Sequence, residues 1–144
     1  MFRYTFLTLA VGALLLTGCN TLSGQPSITR AGINPELLEP GSTAVITLAI
    51  KDKQEVVKRI EGIVLEDPRI TFPLRDDGQP PDEKADDNVW SMQVDVPFQA
   101  PPGAFSLEFT AYGPDGMPIS IRDKQGQVTV LKQTIPINIQ YSQK

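Results

Sequence analysis

The feature that most constrains this chain is a period-two alternation of apolar and polar residues from Thr43 onward. In Val45-Ile46-Thr47-Leu48-Ala49-Ile50, the even positions form one apolar face. In Trp90-Ser91-Met92-Gln93-Val94-Asp95-Val96, the apolar set is Trp90, Met92, Val94 and Val96. Phe105-Ser106-Leu107-Glu108-Phe109-Thr110-Ala111 and Ile135-Pro136-Ile137-Asn138-Ile139-Gln140-Tyr141 repeat the pattern at odd positions. Successive strand side chains point to opposite faces, so such segments form sheets with one face in a core and the other in water. Turn signals separate them, among them Glu39-Pro40-Gly41, Asp76-Asp77-Gly78, Pro101-Pro102-Gly103 and Pro114-Asp115-Gly116. The 13 prolines and 11 glycines suit short strands and tight loops, and would interrupt a helical bundle. Pro136 lacks a donor and suits a sheet edge or bulge.

Residues 54–66 are ambiguous. Val56, Val57, Ile60, Ile63 and Val64 fall at helical spacing, and Glu55 precedes Arg59 by four. The apolar residues are nearly all β-branched and Gly62 weakens a helix interior, so a strand is the preferred reading. Ile70-Thr71-Phe72-Pro73-Leu74 adds a further short strand. About seven strands in one domain, residues 28–144, predict an all-β, immunoglobulin-like sandwich.

Composition removes much chemistry. The chain has 144 residues, no histidine and one cysteine. That excludes an imidazole base, a His-based triad, an intramolecular disulfide and a thiolate zinc site. The net charge of −4 argues against a nucleic-acid partner, which needs clustered Lys and Arg. No G-x-S-x-G elbow and no Gly-rich phosphate cradle is present.

The N-terminus carries a targeting pattern. Arg3 precedes an uncharged run over residues 6–16, too short to span a bilayer core and of the length of a secretory signal. Leu16-Thr17-Gly18-Cys19 follows, and resembles the lipobox of bacterial lipoproteins. The resemblance implies a signal peptide over residues 1–18, lipidation of the Cys19 sulfur with diacylglycerol, and anchoring of the mature chain to a membrane. Two or three acyl chains hold firmly where one holds marginally. Asn20 stands where an Asp commonly marks inner-membrane retention, which implies the outer membrane, facing the periplasm. Residues 19–27 are polar with Gly24 and Pro26, and read as the lipidated cysteine and a flexible tether.

A second resemblance lies in the body. Leu74-Arg75-Asp76-Asp77-Gly78, then Asp82-Glu83, then Ala85-Asp86-Asp87-Asn88-Val89-Trp90-Ser91, is similar to a recurring feature of bacterial extracytoplasmic Ig-like domains. Pro102-Gly103-Ala104-Phe105 and Tyr112-Gly113-Pro114-Asp115-Gly116 resemble the strand start and hairpin that follow it there. Asp86 and Asn88 replace the glycines usual in that pattern. The resemblance implies the sandwich fold; such domains decorate many unrelated surface proteins, so it implies no particular activity.

Residues 76–87 hold six carboxylates: Asp76, Asp77, Asp82, Glu83, Asp86 and Asp87. Hard oxygen ligands in a loop suit Ca²⁺, with Asp76, Asp77, Asp82 and Asp87 as the candidate ligands, although the spacing is not that of an EF-hand. The alternatives are a solvated loop whose Asp side chains close Asx-turns, which is preferred, and a catalytic carboxylate pair. Trp90 shares parity with Met92 and Val94, which places it in the core rather than on a sugar. Tyr112 and Tyr141 read as edge or core aromatics. Lys51, Lys53, Lys58 and Arg59 read as a solvated strand end, with anionic lipid head groups as the alternative partner. The chain is expected to be a non-enzymatic, membrane-anchored envelope lipoprotein that binds another envelope protein or serves as an accessory module. The alternative is a calcium-dependent ligand or carbohydrate binder using residues 76–87; a small hydrolase ranks last.

Overall fold

A computed structural model of the chain describes residues 24–142. The signal segment 1–18 and Cys19 lie outside the described residues, as does the start of the tether.

Ten strands and no helix occur among the described residues. They are β1 (Ser27–Asn34), β2 (Leu37–Leu38), β3 (Thr43–Lys51), β4 (Arg59–Val64), β5 (Asp67–Leu74), β6 (Val89–Asp95), β7 (Gly103–Tyr112), β8 (Ser120–Arg122), β9 (Val128–Val130) and β10 (Lys132–Ile139). The strands run in two main sheets, β1-β3-β6 and β2-β10-β7-β4-β5, with β8-β9 as a separate hairpin. Neighbours pair antiparallel except β2 and β10, which pair parallel through Leu37 and Leu38. This is the order of an immunoglobulin-like sandwich, in which the partners of β3 and β6 face those of β4, β7 and β10. Such a sheet carries a further strand outside β6; here residues 75–88 run as a loop, paired to β6 by one bridge between Arg75 and Ser91, with Pro80 and Pro81 beside Met92 and Gln93.

The alternation explains the core. In β3 the buried residues are Ala44, Ile46, Leu48 and Ile50; in β7 they are Leu107, Phe109 and Ala111; in β10 they are Ile135, Ile137 and Ile139. Residues from both sheets join in one apolar cluster with Ile46, Leu48, Ile60 and Phe109 wholly buried at its centre. Each such side chain contributes about 1.5–3 kcal/mol relative to exposure. Gly62 in β4 is part of that packing. A Cβ there would stand 2.5 Å from Cε1 of the Phe109 ring, so the ring lies against a position that has room only for hydrogen.

Residues 54–66 divide. The expected strand occupies Arg59–Val64. Residues 54–58 form a loop in which Glu55 is left-handed (φ 53°) and Val57 is buried. Pro136 sits where β10 has no second neighbour, because β2 pairs with β10 only at Asn138 and Ile139. Its partner Ser106 turns its carbonyl toward β4, accepting from Leu65, so the Pro136 nitrogen faces away from β7. The count exceeds seven because β2, β8 and β9 are two- or three-residue strands; β1 begins at Ser27, the last residue of the segment read as tether. Upstream of β1, Gln25 is already held: its Oε1 accepts from Arg122 N at 2.9 Å and its Nε2 donates to Arg122 O at 2.6 Å.

Candidate functional site

The loop over residues 75–88 is built by its own carboxylates. Asp76 accepts from the backbone N–H of Asp87 at 3.2 Å and of Asn88 at 2.9 Å, closing an eleven-residue excursion. Asp82 is 4 % exposed; its Oδ2 accepts from Gly78 N at 2.6 Å. Asp77 and Asp87 close Asx-turns onto the N–H of Gln79 and Val89, each at 2.9 Å. Three residues take the left-handed region: Gly78 (φ 70°), Asp86 (φ 58°) and Asn88 (φ 63°). Asp86 and Asn88 thus hold the backbone shape of the glycines they replace in the resembling pattern, at a cost that glycine does not carry.

Three of the four candidate ligands come together. One oxygen each of Asp76, Asp82 and Asp87 lies within 4.8 Å of the others. Asp77 is not in that group; it pairs instead with Arg75, Nη1 to Oδ2 at 3.6 Å. The Asp76 carboxyl is pushed above the usual carboxylate range, first by burial and then by the charges of Asp82 and Asp87, while the two N–H groups it accepts pull the other way.

Beside this loop lies a cavity of about 660 Å³ lined by Asp52, Lys58, Arg75, Asp76, Asn88 and Trp90 among others. Asp52 is 6 % exposed; its Oδ2 accepts from Val57 N at 2.7 Å, while its Oδ1 and the Trp90 Nε1 have no hydrogen-bond partner among the described residues. Asp52 was not among the candidate residues. The signal was its parity: it continues the inward series Ile46, Leu48, Ile50 by one step. Trp90 is partly buried and packs against the core cluster. Tyr112 carries the Arg59 guanidinium 3.8 Å above its ring, and Arg59 also pairs with Glu61, so this cation is engaged within the domain. Tyr141 is exposed.

A second opening is apolar. Between β5 and β6, the outermost strands of the two sheets on that side, runs a crevice of about 490 Å³ walled by Val64, Ile70, Phe72, Val94, Phe105 and Leu107, among others. Ile70 and Phe72 share the inward parity of the buried Leu74, yet Ile70 is 46 % exposed, because no strand lies beyond β6 to cover it. The residues of this crevice carry no sequence motif; it follows from one sheet having fewer strands than the other.

No family model matches the chain, and no curated protein matches it.

Proposed function

We propose that this chain is a lipid-anchored envelope lipoprotein whose sandwich serves as a non-enzymatic binding module for another envelope protein. The lipobox supports the anchor and, through Asn20, the periplasmic face of the outer membrane. The observation that carries the binding reading is the apolar crevice between β5 and β6. It offers a slot for a partner's side chains in a body where Asp76, Asp77, Asp82 and Asp87 of the acidic loop accept from that loop's own backbone N–H groups. Crosslinking in intact cells followed by mass spectrometry tests the module: a recurrent envelope partner is expected, and repeated recovery of the protein alone refutes it. Cys19→Ser tests the anchor: the variant is expected to leave the membrane fraction and to lose labelled palmitate, and retention of either refutes lipidation.

A second reading, a calcium-dependent binder, is favoured by the convergence of Asp76, Asp82 and Asp87. Ca²⁺ held by these oxygens would relieve their mutual repulsion and stiffen the loop. Binding to the folded state raises its stability by about 2.7 kcal/mol at one hundred times the dissociation constant, so thermal melts in Ca²⁺ against chelator decide the matter. An unchanged midpoint at about 1 mM Ca²⁺ refutes it.

A further inference from the structure

The sandwich has four outer strands, and they are not equally guarded. β5 carries Pro68 and Pro73, which have no donor, and the exposed pair Arg69–Asp67. β2 is two residues long. β1 lies alongside β10 where the two sheets meet. Prolines, charges and short length are the ordinary means of preventing strand addition. β6 differs. Ser91 directs its N–H and carbonyl outward to Arg75, whereas Val96 directs its own inward, to Gly41 and Ser42 beside β3. Alternation then turns the N–H and carbonyl of Gln93 and Asp95 outward, like those of Ser91, and these four groups meet no partner among the described residues. The stretch begins where the Arg75–Ser91 bridge ends, faces Pro80 and Pro81 of the loop across a gap at Gln93, and borders the apolar crevice at Val94 and Asp95.

We infer that the outer edge of β6 at Gln93 and Asp95 is a strand-addition site, taking an extended segment of the partner protein whose alternate apolar side chains fill the crevice against Ile70, Phe72 and Val94. Main-chain bonds supply affinity and the crevice selects side chains. Glu66, Asp67 and Asp95 line the same crevice, and Arg69 beside it offsets one of them, so its mouth is acidic and the occupant carries Lys or Arg flanking its apolar residues. The inference rests on the binding reading above and names the surface and the chemistry of the segment.

The test uses the full-length chain in detergent micelles and three synthetic peptides: KLTVTIK, its glutamate-flanked counterpart ELTVTIE, and a backbone N-methylated KLTVTIK. Amide hydrogen exchange of the protein is followed by NMR. KLTVTIK is expected to slow exchange at Gln93 and Asp95 by at least about tenfold, ELTVTIE to bind about tenfold more weakly, and the N-methylated peptide not to bind. Ile70→Asp, at a half-exposed position that leaves the fold intact, is expected to abolish the protection. No protection at about 1 mM peptide, protection on β1 or β5 instead, or equal binding by all three peptides would overturn the inference. Protection of the same amides that grows with protein concentration and needs no peptide would assign the edge to a second copy of this chain, and would overturn it too. A photo-crosslinker placed in cells at Gln93, and separately at Leu65 and Met117, separates the two levels. An envelope partner trapped from Gln93 supports both; adducts from the other positions alone overturn the edge and leave the module standing; none anywhere overturns both.

Discussion

Gly62→Ala should destabilise this domain by overpacking its core. The added carbon would sit 2.5 Å and 2.6 Å from two ring atoms of Phe109 and 3.4 Å from Cβ of Phe72, where carbon pairs normally rest about 3.5–4.0 Å apart. The Phe109 ring is wholly buried, so about 1 Å of displacement passes into a close-packed core. Overpacking of this kind costs about 1–3 kcal/mol, and the lower unfolded-state entropy of alanine returns about 0.4–1. The net is about 1.3 kcal/mol, a fall in midpoint of roughly 5 °C at about 4 °C per kcal/mol. Urea unfolding measures it directly, with a lowered midpoint and an unchanged slope. Phe109→Leu vacates the space the methyl needs, so Gly62→Ala with Phe109→Leu should cost at least about 1 kcal/mol less than the sum of the two single changes. A loss below about 0.5 kcal/mol for Gly62→Ala, or strict additivity of the pair, would refute the packing argument.

Three further outcomes are expected. The raised Asp76 carboxyl makes the folded state favour the neutral form, so its contribution to stability is fully present below the unfolded value and is lost as pH rises through the folded one. The stability difference between wild type and Asp76→Asn, followed by urea unfolding, should therefore be larger near about pH 4 than at about pH 7; the opposite trend would mean that burial and the neighbouring charges do not dominate. Asp82→Ala strands the Gly78 N–H and should cost about 1–3 kcal/mol in the same assay. Gln25→Ala removes two bonds to the exposed Arg122 backbone and should cost about 1 kcal/mol, with faster amide exchange at Arg122 as the local readout.

The alternation made the central sheets legible. Ile46, Leu48, Leu107, Phe109, Ile135 and Ile137 all lie inward as their parity requires. β1 was missed because the register shifts between Ile28 and Arg30, passing over Thr29, which breaks the period of two. The hairpin of β8 and β9 was missed because its strands hold three residues each and its side chains are largely exposed. In the acidic loop the residue types were plain but their division was not. Asp76 and Asp77 are neighbours with unlike duties, one reaching across eleven residues and the other two residues on, and only the fold of the turn at Gly78 separates them. The crevice and the open edge of β6 had no local signature, since each depends on which strands happen to be neighbours.

The grip of Gln25 on Arg122 bears on how far the sandwich can stray from a lipid surface. Were Cys19 acylated as proposed, six residue steps would separate the fatty chains from Gln25, a span of at most about 21 Å. Under that proposal so short a span would keep the β8-β9 pole beside the head groups and give the body a definite top and bottom. A partner captured by the proposed module would then be met within a few nanometres of the bilayer, in an orientation such an anchor had already narrowed.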